Sequence, residues 1–140
     1  MKLLDADTVE NMTDTKNPVI TPSSCELPNR SAGAPQMSGG DPVAVQPGTV
    51  LRAIMGRDAL IGDYFCKYAM NEAYESQFAD AGMRVSGRGT KGEIRAMELE
   101  GHRFYVITLL QPQLASTMEN PHPLVTAFLR ACAEFRRAED

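Results

Sequence analysis

From Pro28 to Gly48 the chain reads PNRSAGAPQMSGGDPVAVQPG, and no long helix can pass through it. Proline removes backbone donors and glycine raises the entropic cost of order. Residues 1–48 hold six of the nine prolines, and six acids against three bases. This segment reads as loop, with short extended pieces at Val19–Thr21 and Val43–Val45. Residues 28–42 are expected to be poorly ordered, because long loops without structure of their own are uncommon inside compact domains. Residues 49–140 have a different texture, that of an ordinary mixed domain. The expected organisation is therefore a loop-dominated segment over 1–48 followed by an α/β unit over 49–140.

Local signals place the elements of the second segment. Thr49 can cap a helix over Val50–Met55 that Gly56 ends. Ala59–Met70 is rich in aliphatic and aromatic residues and reads as a strand. Asn71 caps a second helix, Glu72–Ala81, with Tyr74 and Phe78 one turn apart and Gly82 past its end. Met83–Ser86 and Glu93–Glu100 read as strands joined by the three-glycine loop GRGTKG, a hairpin connection. That loop lacks the GxxxxGK[ST] pattern of a phosphate cradle and precedes a strand rather than a helix. His102–Leu110 contains FYVITLL, a nearly continuous apolar run. A strand covered on both faces has that composition, so Phe104–Leu110 is expected to be central in its sheet. Pro123 opens a last helix over residues 123–137. Its apolar residues Leu124, Val125, Phe128, Leu129, Cys132 and Phe135 share one face, which places Cys132 in the core.

Composition excludes several function classes. With 14 basic and 18 acidic side chains the net charge is -4, which disfavours a nucleic-acid or anionic-membrane surface. No apolar run approaches the roughly 18–20 residues that span a bilayer. The first residues, MKLLDADTVENM, lack a signal-peptide pattern, so the expected compartment is the cytoplasm. Cys25, Cys66 and Cys132 are widely spaced, with no CxxC pair. No metal site is expected from them together with His102 and His122. Cys66 in DYFCKY reads as a buried thiol, and no GxSxG or GxCxG nucleophile elbow occurs in the sequence.

The stretch from Asn71 onward resembles the C-terminal part of the class I glutamine amidotransferase domain of CTP synthase. AGMRVSGR, GEIRAMEL, GHRFYV and PHPLVTAFLRA carry the likeness, and NPVI and QPGTVLRAIMG extend it upstream in the same order. VITPSSCEL, GDYFCKYAMN and LLQPQ are similar to a group labelled CTP synthase C-terminal-region-related (seleno)proteins. The resemblance implies a partial flavodoxin-like, three-layer α/β domain that lacks its N-terminal half. It also implies a Cys–His–Glu triad, with His and Glu in an HPE motif after a strand. Here that position reads Gln111-Pro112-Gln113. An amide has no pKa near neutrality, so Gln111 cannot shuttle the thiol proton and Gln113 cannot stabilise an imidazolium by charge. The glutamine-holding RHRHRYE run of the family corresponds to DYFCKYA. This makes Lys67 and Tyr68 a substrate-site remnant, lysine lacking the planar fork of arginine. In the alternative reading of this run, Tyr64, Cys66 and Tyr68 line one face of a core strand.

Three functions remain open on the sequence. One is a degenerate amidotransferase-like protein without glutaminase activity of its own. Another is a half-domain completed by a separate N-terminal chain or by self-association. The third is a module that binds glutamine or another small amino acid. No cofactor is implied.

Overall fold

The computed structural model describes residues 6–9, 14–22, 40–63 and 68–139. Cys25, Cys66, Tyr64, Lys67 and most of residues 28–42 lie outside the described residues. Among the described residues, eight strands form two sheets. The smaller holds β1 (Ala6–Thr8), β2 (Asn17–Pro22) and β5 (Tyr68–Met70) in the order β1-β2-β5. The larger holds β3 (Gly40–Val45), β4 (Ala59–Asp63), β6 (Met83–Gly89), β7 (Ile94–Leu99) and β8 (Val106–Thr108) in the order β4-β3-β6-β7-β8. Among the described strands β1 and β2 pair in parallel, and the other pairings are antiparallel.

Helix α1 (Val50–Met55) forms over the residues its capping signals predict. The Thr49 hydroxyl accepts from the Arg52 N–H at 3.0 Å and donates to the Gln46 carbonyl at 2.7 Å. Gly56 ends the helix at φ 66°, a conformation glycine adopts without strain. Two further N–H groups of the first turn are held by a strand. Glu98 on β7 accepts from Val50 at 2.9 Å and from Leu51 at 3.1 Å. Its carboxylate is buried and has Arg84 Nε 3.7 Å away. A charge therefore fixes the helix to the sheet through the donors that helical geometry leaves unpaired.

The predicted second helix begins as a 3-10 turn, Glu72–Tyr74, and continues as α2 (Glu75–Asp80). Asn71 accepts from the Ala73 N–H at 3.1 Å and donates from Nδ2 to the Pro18 carbonyl at 2.9 Å, tying the turn to β2. The hairpin β6–β7 forms as expected, with β6 reaching three residues further, to Gly89. Gly87 fits closely there: a Cβ would meet Val43 Cγ1 at 3.0 Å and Ala96 Cβ at 3.1 Å, so those side chains would have to give way. One apolar cluster gathers Val43, Leu51, Met55, Leu60, Ala96 and Leu110 beneath α1; a second gathers Met70, Ile94 and Met97 against Phe78 and Leu109.

Four expectations fail. The run Ala59–Met70 is not one strand: β4 and β5 belong to different sheets. The apolar run Phe104–Leu110 is not central. Only Val106–Thr108 is strand, and β8 is the edge of its sheet, with Tyr105 and Ile107 each 45% exposed. The run is apolar because its residues feed two different clusters, Val106 and Leu110 into one and Leu109 into the other, not because strands flank it. The third failure is Cys132, which is exposed. Helix α3 (Pro123–Glu139) forms where predicted, but of its apolar face only Leu124 is buried. Its first turn seats against the α1 cluster, whereas Phe128 and Leu129 are 50% and 60% exposed. Residues 40–42, read as loop, are strand, because β3 pairs with β4 along their whole length.

Ser86 on β6 is fully buried, and its hydroxyl has no partner among the described residues. An unsatisfied buried hydroxyl costs about 1–3 kcal/mol. Ser86→Ala is therefore expected to raise stability by about 1 kcal/mol, read as a higher urea midpoint at unchanged slope.

Candidate functional site

β8 leads through Leu109 and Leu110 into the turn that carries both glutamines. Thr108 Oγ1 donates to the Leu110 carbonyl at 2.8 Å and holds the exit from the strand. The Gln111 N–H donates to the Asp63 carbonyl at 2.7 Å, fixing the residue against the end of β4. Pro112 then starts a 3-10 turn, Pro112–Ala115, whose first bond runs from the Leu114 N–H to the Gln111 carbonyl at 3.0 Å. Gln111 is half-buried and its side chain makes no cap to the turn; Gln113 is exposed. The geometry is that of a side chain presented at the end of a strand, anchored through its backbone.

A histidine stands beyond that turn, immediately before α3. The His122 N–H donates to Ser116 Oγ at 3.0 Å, and its Nδ1 accepts from the Leu124 N–H at 3.2 Å. His122 thus caps α3 with a neutral ring whose proton sits on Nε2. Burial pushes its pKa below the ordinary 6.5; the Arg57 charge pushes it further, and Asp63 opposes them in part. Because the folded state favours the neutral ring, the unfolded chain binds more protons. The cap contributes fully above about pH 6.5 and is lost as pH falls through the folded pKa. His122→Asn keeps an acceptor at the cap and removes the titration. The variant is expected to show a flatter stability profile than the parent below about pH 6.5, measured by urea unfolding at fixed ionic strength.

Tyr68 lies elsewhere. It opens β5 in the smaller sheet, opposite Pro22, and is half-buried. No described contact brings Tyr68 to Gln111 or Gln113. Two other charged residues, not singled out by sequence, are buried in β7. Arg95, 2% exposed, has Glu93 Oε1 at 2.8 Å and 3.2 Å. Burial raises the Glu93 pKa, but bonds from the Glu93 and Lys91 N–H groups and from Arg95 hold it below 4.5 overall. Glu98 is the α1 anchor described above. The signal that could have found them is the run IRAMEL itself, where charges interrupt a strand buried at Ile94, Ala96 and Met97. No group of three metal-ligating side chains gathers among the described residues. No helix among them is long and apolar enough to cross a membrane.

Comparison with known proteins decides the lineage. CTP synthase of Cytophaga hutchinsonii is 29% identical over 138 residues, covering 98% of this chain and 26% of its own length. CTP synthase of Roseiflexus sp. is 32% identical over 136 residues, 96% of this chain and 24% of its own. The structure superimposes on the glutaminase domain of Trypanosoma brucei CTP synthase, solved with bound acivicin. The TM-score is 0.80 at 21% identity, over 93% of this chain and 51% of that one. This chain is a homologue of the class I glutamine amidotransferase domain of CTP synthase. Its flavodoxin-like α/β class follows, although the described strands pair mostly antiparallel. The homologue spans about a quarter of the length of those CTP synthases and about half of the solved glutaminase domain. No family model matches it.

Proposed function

We propose that this homologue is a glutamine amidotransferase-like protein that does not hydrolyse glutamine by itself. The observation that carries the reading is the pair Gln111 and Gln113. They occupy the turn after β8, in the register that the resemblance assigns to the triad His and Glu. In that chemistry a thiolate attacks the carboxamide and ammonia leaves with a proton from the base. Gln111 is neutral across the physiological range and can neither accept nor return that proton. Gln113 carries no charge with which to steady a cationic neighbour. Tyr68 and Lys67 belong to the same reading as remnants of a substrate site, with glutamine or another small amino acid as the ligand class. Membership in pyrimidine biosynthesis and a cytoplasmic location are part of the proposal.

Restoring Gln111→His together with Gln113→Glu tests whether these two positions alone keep the chain inactive. The sequence contains no nucleophile elbow, so the restored chain alone is expected to release no ammonia above background in a glutamate dehydrogenase-coupled assay. Turnover by the restored chain would show that a nucleophile is present after all.

A further inference from the structure

Helix α3 is fastened to the sheets chiefly by its first turn. His122 is 9% exposed and Leu124 6%, whereas residues 128–130 and 132–138 are exposed. Farther along, Phe128 lies edge-on to Phe104 and the Arg103 guanidinium covers Phe135. The link before the helix is a closed turn of its own. The Thr117 N–H donates to the Asn120 carbonyl at 3.1 Å, and the Asn120 N–H donates to Thr117 Oγ1 at 3.0 Å. His122 therefore stands between a self-contained turn and the seat of the helix. Its Nδ1 accepts the Leu124 N–H, and a ring nitrogen accepts only while it carries no proton.

We propose that His122 is the pin of an acid-released hinge: a second proton on its ring lets α3 swing away as a unit while the sheets stay folded. Protonation turns Nδ1 from an acceptor into a donor, so two donors face each other at the cap. It also places a cation at the positive end of the helix dipole. The charged groups that face the ring are Arg57, after α1, and Asp63, at the end of β4. Burial and Arg57 disfavour the imidazolium and together outweigh Asp63. His102 and Arg103 stand along the outer half of α3, and His102 Nδ1 accepts from the Phe104 N–H at 3.2 Å, off the helix. Arg130, Glu134, Arg136 and Arg137 on the helix and Glu119 before it are exposed to water. The second apolar cluster, Met70, Ile94 and Met97, includes no residue of α3, so β7 keeps its packing when the helix leaves. Leu124 would leave the α1 cluster, and the cleft lined by Phe104, Val106, Pro112 and Phe128 would open beside Gln111. Acid thereby bares apolar surface next to the glutamine turn before the domain unfolds. The chain holds two histidines, so the switch has one rival source, His102.

Native-state hydrogen exchange of the full chain tests this, read amide by amide by NMR in a urea series below the unfolding transition. The amides of residues 128–136 are expected to open with a smaller urea slope than those of β6 and β7, because undocking exposes less surface than unfolding. After correction for intrinsic exchange rates, opening of α3 should rise by up to about tenfold per pH unit as the pH falls below about 6.5, and level off below the folded pKa. His122→Asn keeps an acceptor at the cap and should abolish that rise, while His102→Asn keeps it. The proposal is overturned by one shared urea slope for helix and sheet, by a rise that survives His122→Asn, or by a rise that His102→Asn removes. Should His122→Asn fail to fold, the two slopes of the parent and the His102→Asn series still decide.

Discussion

Replacing Glu98 with alanine is expected to cost about 2–4 kcal/mol, a large share of the ~5–15 kcal/mol that holds a domain of this size. Its two oxygens accept from the Val50 and Leu51 N–H groups, and hydrogen bonds to a charged group contribute about 1.5–3 kcal/mol each. Removing the carboxylate leaves both donors facing a methyl group at a buried helix terminus. Relief of the carboxylate's own desolvation offsets part of this loss. The ion pair with Arg84 contributes little, because that guanidinium side chain is 36% exposed. Glu98→Gln separates the effects. One oxygen still accepts, but the amide NH₂ now faces a second donor, so the cost should lie between those of the parent and of Glu98→Ala. Because Leu51 and Met55 pack with Leu124 in one cluster, loosening α1 should also loosen the seat of α3. Urea unfolding of the two variants checks this; a loss below about 0.5 kcal/mol for Glu98→Ala would show that water satisfies those donors.

Elements fixed by local chemistry were legible before the structure. Thr49 and Gly56 bracket α1, Asn71 starts the turn before α2, GRGTKG joins β6 to β7, and Pro123 opens α3. What sequence reported poorly was which surface covers which. The run FYVITLL registers apolarity at each position, but apolarity does not say whether the neighbour is a strand, a helix or an open cleft. Hence β8 was expected at the centre and stands at an edge. The apolar face of α3 was read as buried for the same reason. Phe128 packs edge-on to Phe104, with ring centroids 5.6 Å apart, and the Arg103 guanidinium covers Phe135 at 4.0 Å. At the candidate site, the turn after β8 was legible because Pro112 cannot continue the strand ladder. His122 and Glu98 were not, because their work is done through backbone donors distant or inconspicuous in the text of the chain.

No turnover of glutamine is expected from this chain, and the expected effect is large. Loss of general acid–base help alone costs about 10²–10⁴-fold in rate. The sequence carries no nucleophile elbow, so the covalent route is expected to be closed as well. The most direct measurement follows glutamine labelled with ¹⁵N at its side-chain amide, mixed with the purified chain at high concentration and watched by NMR for a day. The account predicts that the amide signal decays no faster than in buffer and that no labelled ammonium appears beyond that control. Ammonium rising in proportion to protein, and lost on heat denaturation, would contradict it.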